Sequence, residues 1–295
     1  MKLIKSPLLL FFLFAIVIVS CEHPSIPESS NSGKEDSKAN LTVNVATVEH
    51  IPFPAFTTRA SVADAFSRIS IAVFDSKGQR ADVSNKSRDD DGYGSASFFL
   101  PSGTYQVVVI GHSAKQNPTT TDASKIQFTK ATGYSDTFLH SEIVEVGDTP
   151  VVVNADVQRI VSLCRVVVAD TIPDNVTKFH FEYTGGSGYF DASTGYGIST
   201  SGNKQQVDFD AVAGRDSTVY DLYTFLPDDA GSIHLKAQAK DAEDNTVCAR
   251  EIDVPLNRRQ ISKLTGPFFA GASCSTITIV ISVDDEWEGE TIINF

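Results

Sequence analysis

The chain has 295 residues, of which 41% are hydrophobic and 21% charged, and its formal net charge is −13. An acidic balance of that size excludes nucleic acid and anionic lipid as partners bound through charge. Methionine and tryptophan occur once each, and the recurring Val, Ile, Thr and Phe favour strands over helices.

The chain opens with a short basic stretch, Met1-Lys2-Leu3-Ile4-Lys5, followed by an unbroken apolar run of 12 residues from Leu8 to Val19. That run is too short to cross a bilayer, which takes ~20 residues, and it matches the apolar segment of a secretory signal peptide. It ends in Ile18-Val19-Ser20-Cys21, the arrangement at which bacterial lipoproteins are acylated and cleaved. Residues 1–20 are therefore expected to be a lipoprotein signal peptide, with Cys21 as the lipidated first residue. Several acyl chains on one cysteine hold a protein firmly to a membrane, at about 0.8 kcal/mol per buried methylene. Residues 21–40 are rich in Ser, Pro, Gly and charge, the composition of a flexible tether.

From Leu41 onward strand follows strand. Leu41-Thr42-Val43-Asn44-Val45 alternates, and Ile69 to Phe74 is closed by the turn Asp75-Ser76-Lys77-Gly78. Ser95 to Leu100 leads through Pro101-Ser102-Gly103 into Thr104 to Ile110, which is apolar on both faces and reads as a central strand. Val151 to Asp156 and Arg159 to Val168 come next. In Thr177 to Tyr183 the residues Phe179, Phe181 and Tyr183 share one face; in Ile233 to Lys240 it is Ile233, Leu235, Ala237 and Ala239. The last strand places Ile277, Ile279, Ile281 and Val283 together. Period-two alternation with one wet face is the pattern of antiparallel sandwiches. The expected fold is all-β, with an N-terminal sandwich over 41–154 and a C-terminal sandwich over 155–295. Helix signals are confined to two turns over Ser61 to Arg68.

Chemistry-bearing motifs are scarce. Gly185-Gly186-Ser187-Gly188 lacks the second glycine offset of a nucleophile elbow and reads as a flexible loop. His180 and His234 lie on wet strand faces, and His112 follows Gly111 at a strand end, the one histidine placed to line a loop pocket. Asp89-Asp90-Asp91-Gly92 lacks the alternating acids and the distal Glu of a calcium loop, and a hairpin turn on Asp91-Gly92 explains it. Cys164 sits in an apolar run and reads as a small buried side chain. Cys248 and Cys274 are either a disulfide or two free thiols. No enzyme site, metal site or cofactor is expected.

Several segments together resemble the fimbrillin superfamily of the Bacteroidetes, most closely its FimB/Mfa2-like minor-fimbria anchor branch. They are the lipoprotein start and tether, Thr58-Arg59-Ala60, Phe66 to Asp75, Leu100-Pro101-Ser102-Gly103-Thr104-Tyr105, Val157 to Val161 followed by Ile172-Pro173, Leu256-Asn257-Arg258-Arg259-Gln260 before Leu264-Thr265-Gly266, and Trp287. The resemblance implies two tandem transthyretin-like (Greek-key) sandwiches and a lipid anchor in the outer membrane, exposed at the cell surface. It also implies union with other fimbrial subunits by β-strand addition. It makes Leu41 to Val48 the candidate first strand and Arg59 the candidate position of proteolytic processing. The shortness of the chain favours an anchor or accessory role over a shaft subunit, and Arg59 favours the reverse. Two alternatives stand beside the anchor: a polymerising shaft or tip fimbrillin cleaved at Arg59, and a surface glycan-binding lipoprotein of a polysaccharide-uptake system. For the last, Tyr189, Phe190 and Tyr196 are the candidate aromatic platform.

Overall fold

The computed structural model of the chain describes residues 38–48, 65–198, 203–270 and, for the backbone alone, 280–284. Cys21, Arg59, Cys274 and Trp287 lie outside these residues, as does the first half of the stretch read as a helix, 61–64; its last residue, Arg68, opens a strand.

Seven strands make the first body: β1 (Leu41–Val48), β2 (Arg68–Phe74), β3 (Arg80–Ser87), β4 (Ser95–Phe98), β5 (Gly103–His112), β7 (Thr137–Val146) and β8 (Val151–Arg159). They hydrogen-bond in the order β3-β2-β5-β7-β8-β1-β4. The join between β7 and β8 is only Phe138↔Arg159 and Leu139↔Gln158. The sheet thus folds at that corner into two leaves, β3-β2-β5-β7 over β8-β1-β4. Between them lies a core that includes Leu41, Val43, Ile69, Ile71, Val107, Val109, Val153 and Ala155.

The second body repeats this plan. Its strands are β9 (Ser162–Val168), β10 (Lys178–Thr184), β12 (Gln205–Asp210), β13 (Thr218–Thr224), β14 (Ala230–Lys240), β15 (Thr246–Asn257), β16 (Ile261–Gly266) and β17 (Val280–Asp284). One leaf is β12-β10-β14-β15, the counterpart of β3-β2-β5-β7; the other is β13-β9-β16-β17, the counterpart of β4-β1-β8 with one strand more. In both bodies the first strand lies parallel to a late one. Leu41 pairs with Val151 at the start of β1·β8, and Leu163 with Ile261 at the start of β9·β16. The all-β expectation therefore holds, but these two ladders are parallel where antiparallel pairing was expected. Alternation has the same period in either arrangement, and parallel neighbours need only a long connection, here the remainder of each body.

Phe179, Phe181 and Tyr183 of β10 and Ile233, Leu235, Ala237 and Ala239 of β14 all point into the second core, as their alternation predicts. β5 is buried on both faces: Val107 and Val109 face the first core, while Val108 and Ile110 face a third. That third core also receives Ala72 and Phe74 from β2, Phe128 from the segment between β5 and β7, and Leu163, Phe190, Phe225 and Ile261 from the second body. It is the reason a strand of the first body can be apolar on both sides. The same segment carries β6 (Ile126–Gln127), which pairs with β11 (Tyr189–Phe190).

The boundary expected between Asn154 and Ala155 falls inside β8, which pairs with β1 on both sides of that point. Hydrogen bonding changes sheet at Ile160-Val161, between β8 and β9.

Two turn readings change. The turn at Asp89 to Gly92 is present, with Tyr93 N–H donating to Asp90 O and Ser95 N–H to Gly92 O. It is not a hairpin, because β3 and β4 lie at opposite ends of the strand order. The Gly185 to Gly188 stretch is a packed crossing and not a free loop. Gly185 has φ +92 and a Cβ there would sit 2.3 Å from Ser232 O; at Gly186 it would meet Thr224 Oγ1 at 2.0 Å. Ser187 is buried and donates to Ile198 O at 2.8 Å.

Asp170 fixes the chain after β16. Its carboxylate accepts the backbone N–H groups of Phe268 (2.7 Å), Phe269 (2.6 Å) and Ala270 (3.1 Å). Asp170→Ala leaves these donors without their acceptor and is expected to cost about 1–3 kcal/mol, measured by urea denaturation. Asp170→Asn, which keeps one acceptor oxygen, is expected to lose less.

Candidate functional site

The residues read from the sequence as chemical candidates do not converge. His112 is fully buried. Its Nδ1 accepts the Ala114 N–H at 3.3 Å, and the ring meets Phe128 edge-on with centroids 5.3 Å apart. Burial, with the Arg68 charge second, lowers its pKa to about 4. It is a neutral core histidine and not the lining of a pocket. His180 and His234 pair on strand surfaces with Asp208 (2.5 Å) and Asp253 (2.8 Å). Among the described residues no group of three His, Cys, Asp or Glu is placed to hold a metal ion. Cys164 is free and buried, and burial pushes its thiol well above the ordinary range. Cys248 is disulfide-bonded.

The aromatic platform does not form. Phe190 is fully buried against Phe225, with centroids 4.7 Å apart. The Tyr189 hydroxyl accepts Gln127 Nε2 at 2.7 Å, and the Tyr196 hydroxyl donates to Asp229 at 2.7 Å beneath the Arg258 guanidinium.

Two other features are built for contact. The first is the edge of β8. Val151 N–H donates to Asn40 O on the β1 side. A residue's N–H and C=O leave a strand on the same side, so those of Val152 and Asn154 face away from β1, where no strand lies beside them among the described residues. Val152 is 60% exposed. In the second body the corresponding edge of β16 is occupied: β17 pairs antiparallel with it from Ile261↔Asp284 to Thr265↔Val280. Among the described residues, the same position is thus filled in one body and without a neighbouring strand in the other.

The second feature is a cleft of about 410 Å³ between the segment 113–134 and the edges of β12 and β13. Tyr134, Phe209 and Tyr223 supply ring surface; Ser113, Gln206, Asp208, Asp221, Lys115 and Lys130 supply polar groups. Lys130 bridges the two sides by an ion pair to Asp208 at 2.5 Å. Desolvation raises the Asp208 carboxyl, but hydrogen bonds from Lys130 and His180 outweigh it and hold the pKa below the ordinary carboxylate value. Asp221 is held by Arg165 through two bonds of 2.7 and 3.0 Å. Burial pushes the Tyr134 phenol up to about 12. Single residues in the sequence carried no signal for this cleft, because its walls come from four separated segments.

The family model described as fimbrillin-A associated anchor proteins Mfa1 and Mfa2 matches residues 34–291. The chain belongs to this family. It is a family of anchor proteins and not of enzymes. A search of the curated proteins finds no match. Among solved structures, the chain is similar to an adhesin of Bacteroides thetaiotaomicron at 15% identity and TM-score 0.47, covering 87% of this chain and 98% of that one. It is also similar to the fimbrial anchor protein Mfa2 of Porphyromonas gingivalis at 10% identity and TM-score 0.45, covering 86% and 99%. A third is a fimbrial assembly protein of Parabacteroides distasonis at 14% identity and TM-score 0.37, covering 86% and 97%.

Proposed function

We propose that this fimbrillin-A-associated anchor-family protein is a structural component of a cell-surface fimbria. In this reading residues 1–20 direct export, a lipid on Cys21 holds the protein in the outer membrane, and residues 21–40 space the folded body from it. The two bodies are two tandem transthyretin-like domains, each a Greek key of two leaves. Other fimbrial subunits join through β-strand addition.

The observation that carries the assembly reading is the β8 edge. An edge with unpaired backbone groups is a template for another strand. The duplicated plan says what fits there: a strand like β17, antiparallel, alongside Val151 to Ala155, as β17 lies alongside Ile261 to Thr265. The alternative of a shaft subunit uses a different slot. Cleavage at Arg59 would free β1, which runs between β8 and β4 with Leu41 and Val43 fully buried. Its loss would uncover the apolar groove that Leu41 and Val43 fill and the facing edges of β8 and β4 together.

The two readings separate by N-terminal sequencing and intact mass of the protein from sheared fibres and from washed membranes. A lipidated Cys21 terminus in membranes, co-purifying with fibres, supports the anchor. A chain beginning at Ala60 in fibres overturns it in favour of the polymerising subunit. Lipidated protein with no fibre association overturns the fimbrial role. Asn154→Pro tests the edge itself. It removes an outward N–H that β1 does not use, so thermal stability should hold while recovery with fibres falls by about tenfold or more, the effect of losing ~1–2 kcal/mol of pairing.

A further inference from the structure

The cleft between segment 113–134 and the β12 and β13 edges shares no lining residue with the β8 edge, and its lining has a definite chemical character. Its volume of about 410 Å³ lies within the ~300–1,000 Å³ of small-molecule sites, which favour junctions between structural units. Most of the charges that line it are already paired: Lys130 with Asp208 across the cleft, and Asp221 with Arg165 behind it on β9. Lys115 alone among these has no ion pair in the described residues. One free ammonium on a protein of net charge −13 is a poor receptor for a phosphate or a dianion. An apolar ligand fits badly too, because the Lys115 ammonium, the Gln206 carboxamide oxygen and the two ion pairs would lose water without gaining partners. What remains is a ligand with apolar C–H faces and hydroxyl edges. The faces would meet Tyr134, Phe209 and Tyr223, rings that combine an apolar body with, for tyrosine, a polar tip. The hydroxyls would meet the Gln206 carboxamide oxygen, its Nε2 being given to Glu182 at 2.9 Å, the remaining lone pairs of the Asp208 carboxylate beside Lys130 and His180, and the Ser113 hydroxyl, whose oxygen also accepts the Ser67 N–H at 3.2 Å.

We propose that this cleft binds a neutral saccharide of one or two rings, with Tyr134, Phe209 and Tyr223 as stacking surfaces and Gln206, Asp208 and Ser113 as hydroxyl partners. The binding is independent of how the protein is anchored or assembled. A competing occupant is an extended peptide paired with the edge of β12 or β13, each the last strand of its sheet among the described residues.

The test is saturation-transfer NMR and calorimetry on the full chain with maltose, cellobiose, lactose and chitobiose, with inorganic phosphate and an eight-residue alternating Val-Thr peptide as contrasting probes. At least one disaccharide is expected to bind with a dissociation constant of about 1 mM or tighter. Gln206→Ala, and Lys115→Trp at the exposed mouth, should each weaken it ~10-fold or more with unchanged melting temperature. Failure of all four sugars to bind overturns the proposal. So does sugar binding that both variants leave intact, which places the sugar elsewhere. Phosphate or peptide binding that Lys115→Trp abolishes, without sugar binding, assigns the cleft to another ligand class and overturns it as well.

Discussion

Phe181→Ala is expected to destabilise the second body by about 3–5 kcal/mol, the range for deleting a fully buried phenyl ring. Phe181 has no exposed surface and sits mid-strand in β10, between Val207 of β12 and Ala237 of β14. Its ring meets Phe179 (6.0 Å), Phe209 (5.8 Å, near-perpendicular) and Tyr220 (5.4 Å). Such pairs contribute ~0.5–1.5 kcal/mol each beyond area burial, and three are lost at once. The strands on either side are hydrogen-bonded along their length, so collapse into the void is limited. Phe99→Ala is the contrast: that ring is 60% exposed, and its loss should cost within about 0.5 kcal/mol. Urea denaturation followed by tyrosine fluorescence reports both. A loss below ~1 kcal/mol for Phe181→Ala would show that the second core is not packed around it.

Stability is expected to fall by about 3 kcal/mol as pH drops from 6.5 to 4 because of His112 alone, with about 2 kcal/mol of that gone by pH 5. The folded-state pKa is lowered to about 4 from the ordinary 6.5. Between those values the unfolded chain binds the extra proton and the folded chain does not, so the stability contributed by the neutral ring rises with pH. It is complete above 6.5 and absent below 4. The causes are burial first and then Arg68, which lies directly across the β2·β5 ladder from His112. The other close groups, the Ala114 N–H and the Phe128 ring, carry no charge. Denaturation at pH 7, 6 and 5 stays above the range where carboxylates titrate strongly and isolates the effect. His112→Phe keeps an aromatic body without a titrating nitrogen, and should flatten the slope across that window. An unchanged slope in His112→Phe would place the pH sensitivity elsewhere.

The two bodies show how far local pattern reaches. Thr104 to Ile110, apolar on both faces, is a central strand as its composition indicates, because each face of β5 meets its own core. The Phe179-Phe181-Tyr183 face is likewise legible, since a one-residue slip would turn all three rings to water. Asp89 to Gly92 shows the limit. The turn residues are correct for a reversal, yet the chain they connect crosses from one leaf to the other, and four residues carry no record of which strand lies next. Gly185 to Gly188 shows another. Three glycines in four residues read as freedom, whereas Ser232, Thr224 and Phe128 press on the backbone there so closely that a side chain is excluded. Those neighbours are 38 to 60 residues away in the chain, beyond any local window.

By itself the sequence determined the acidic, strand-rich composition, the apolar run from Leu8 to Val19 ahead of Cys21, the inward faces of β5, β10 and β14, and the loose family resemblance that the match over residues 34–291 makes firm. These are properties of neighbours within a few positions, where period-two geometry and side-chain chemistry act directly. The duplicated order of strands, the parallel β1·β8 and β9·β16 ladders, the β8 edge that no strand covers among the described residues beside the filled β16 edge, the neutral buried state of His112 and the cleft around Gln206 were decided only by tertiary structure. Each depends on backbone groups far apart in the chain choosing one partner among many, and pairing energy of that kind is nearly the same for every strand that presents an apolar face and a free edge.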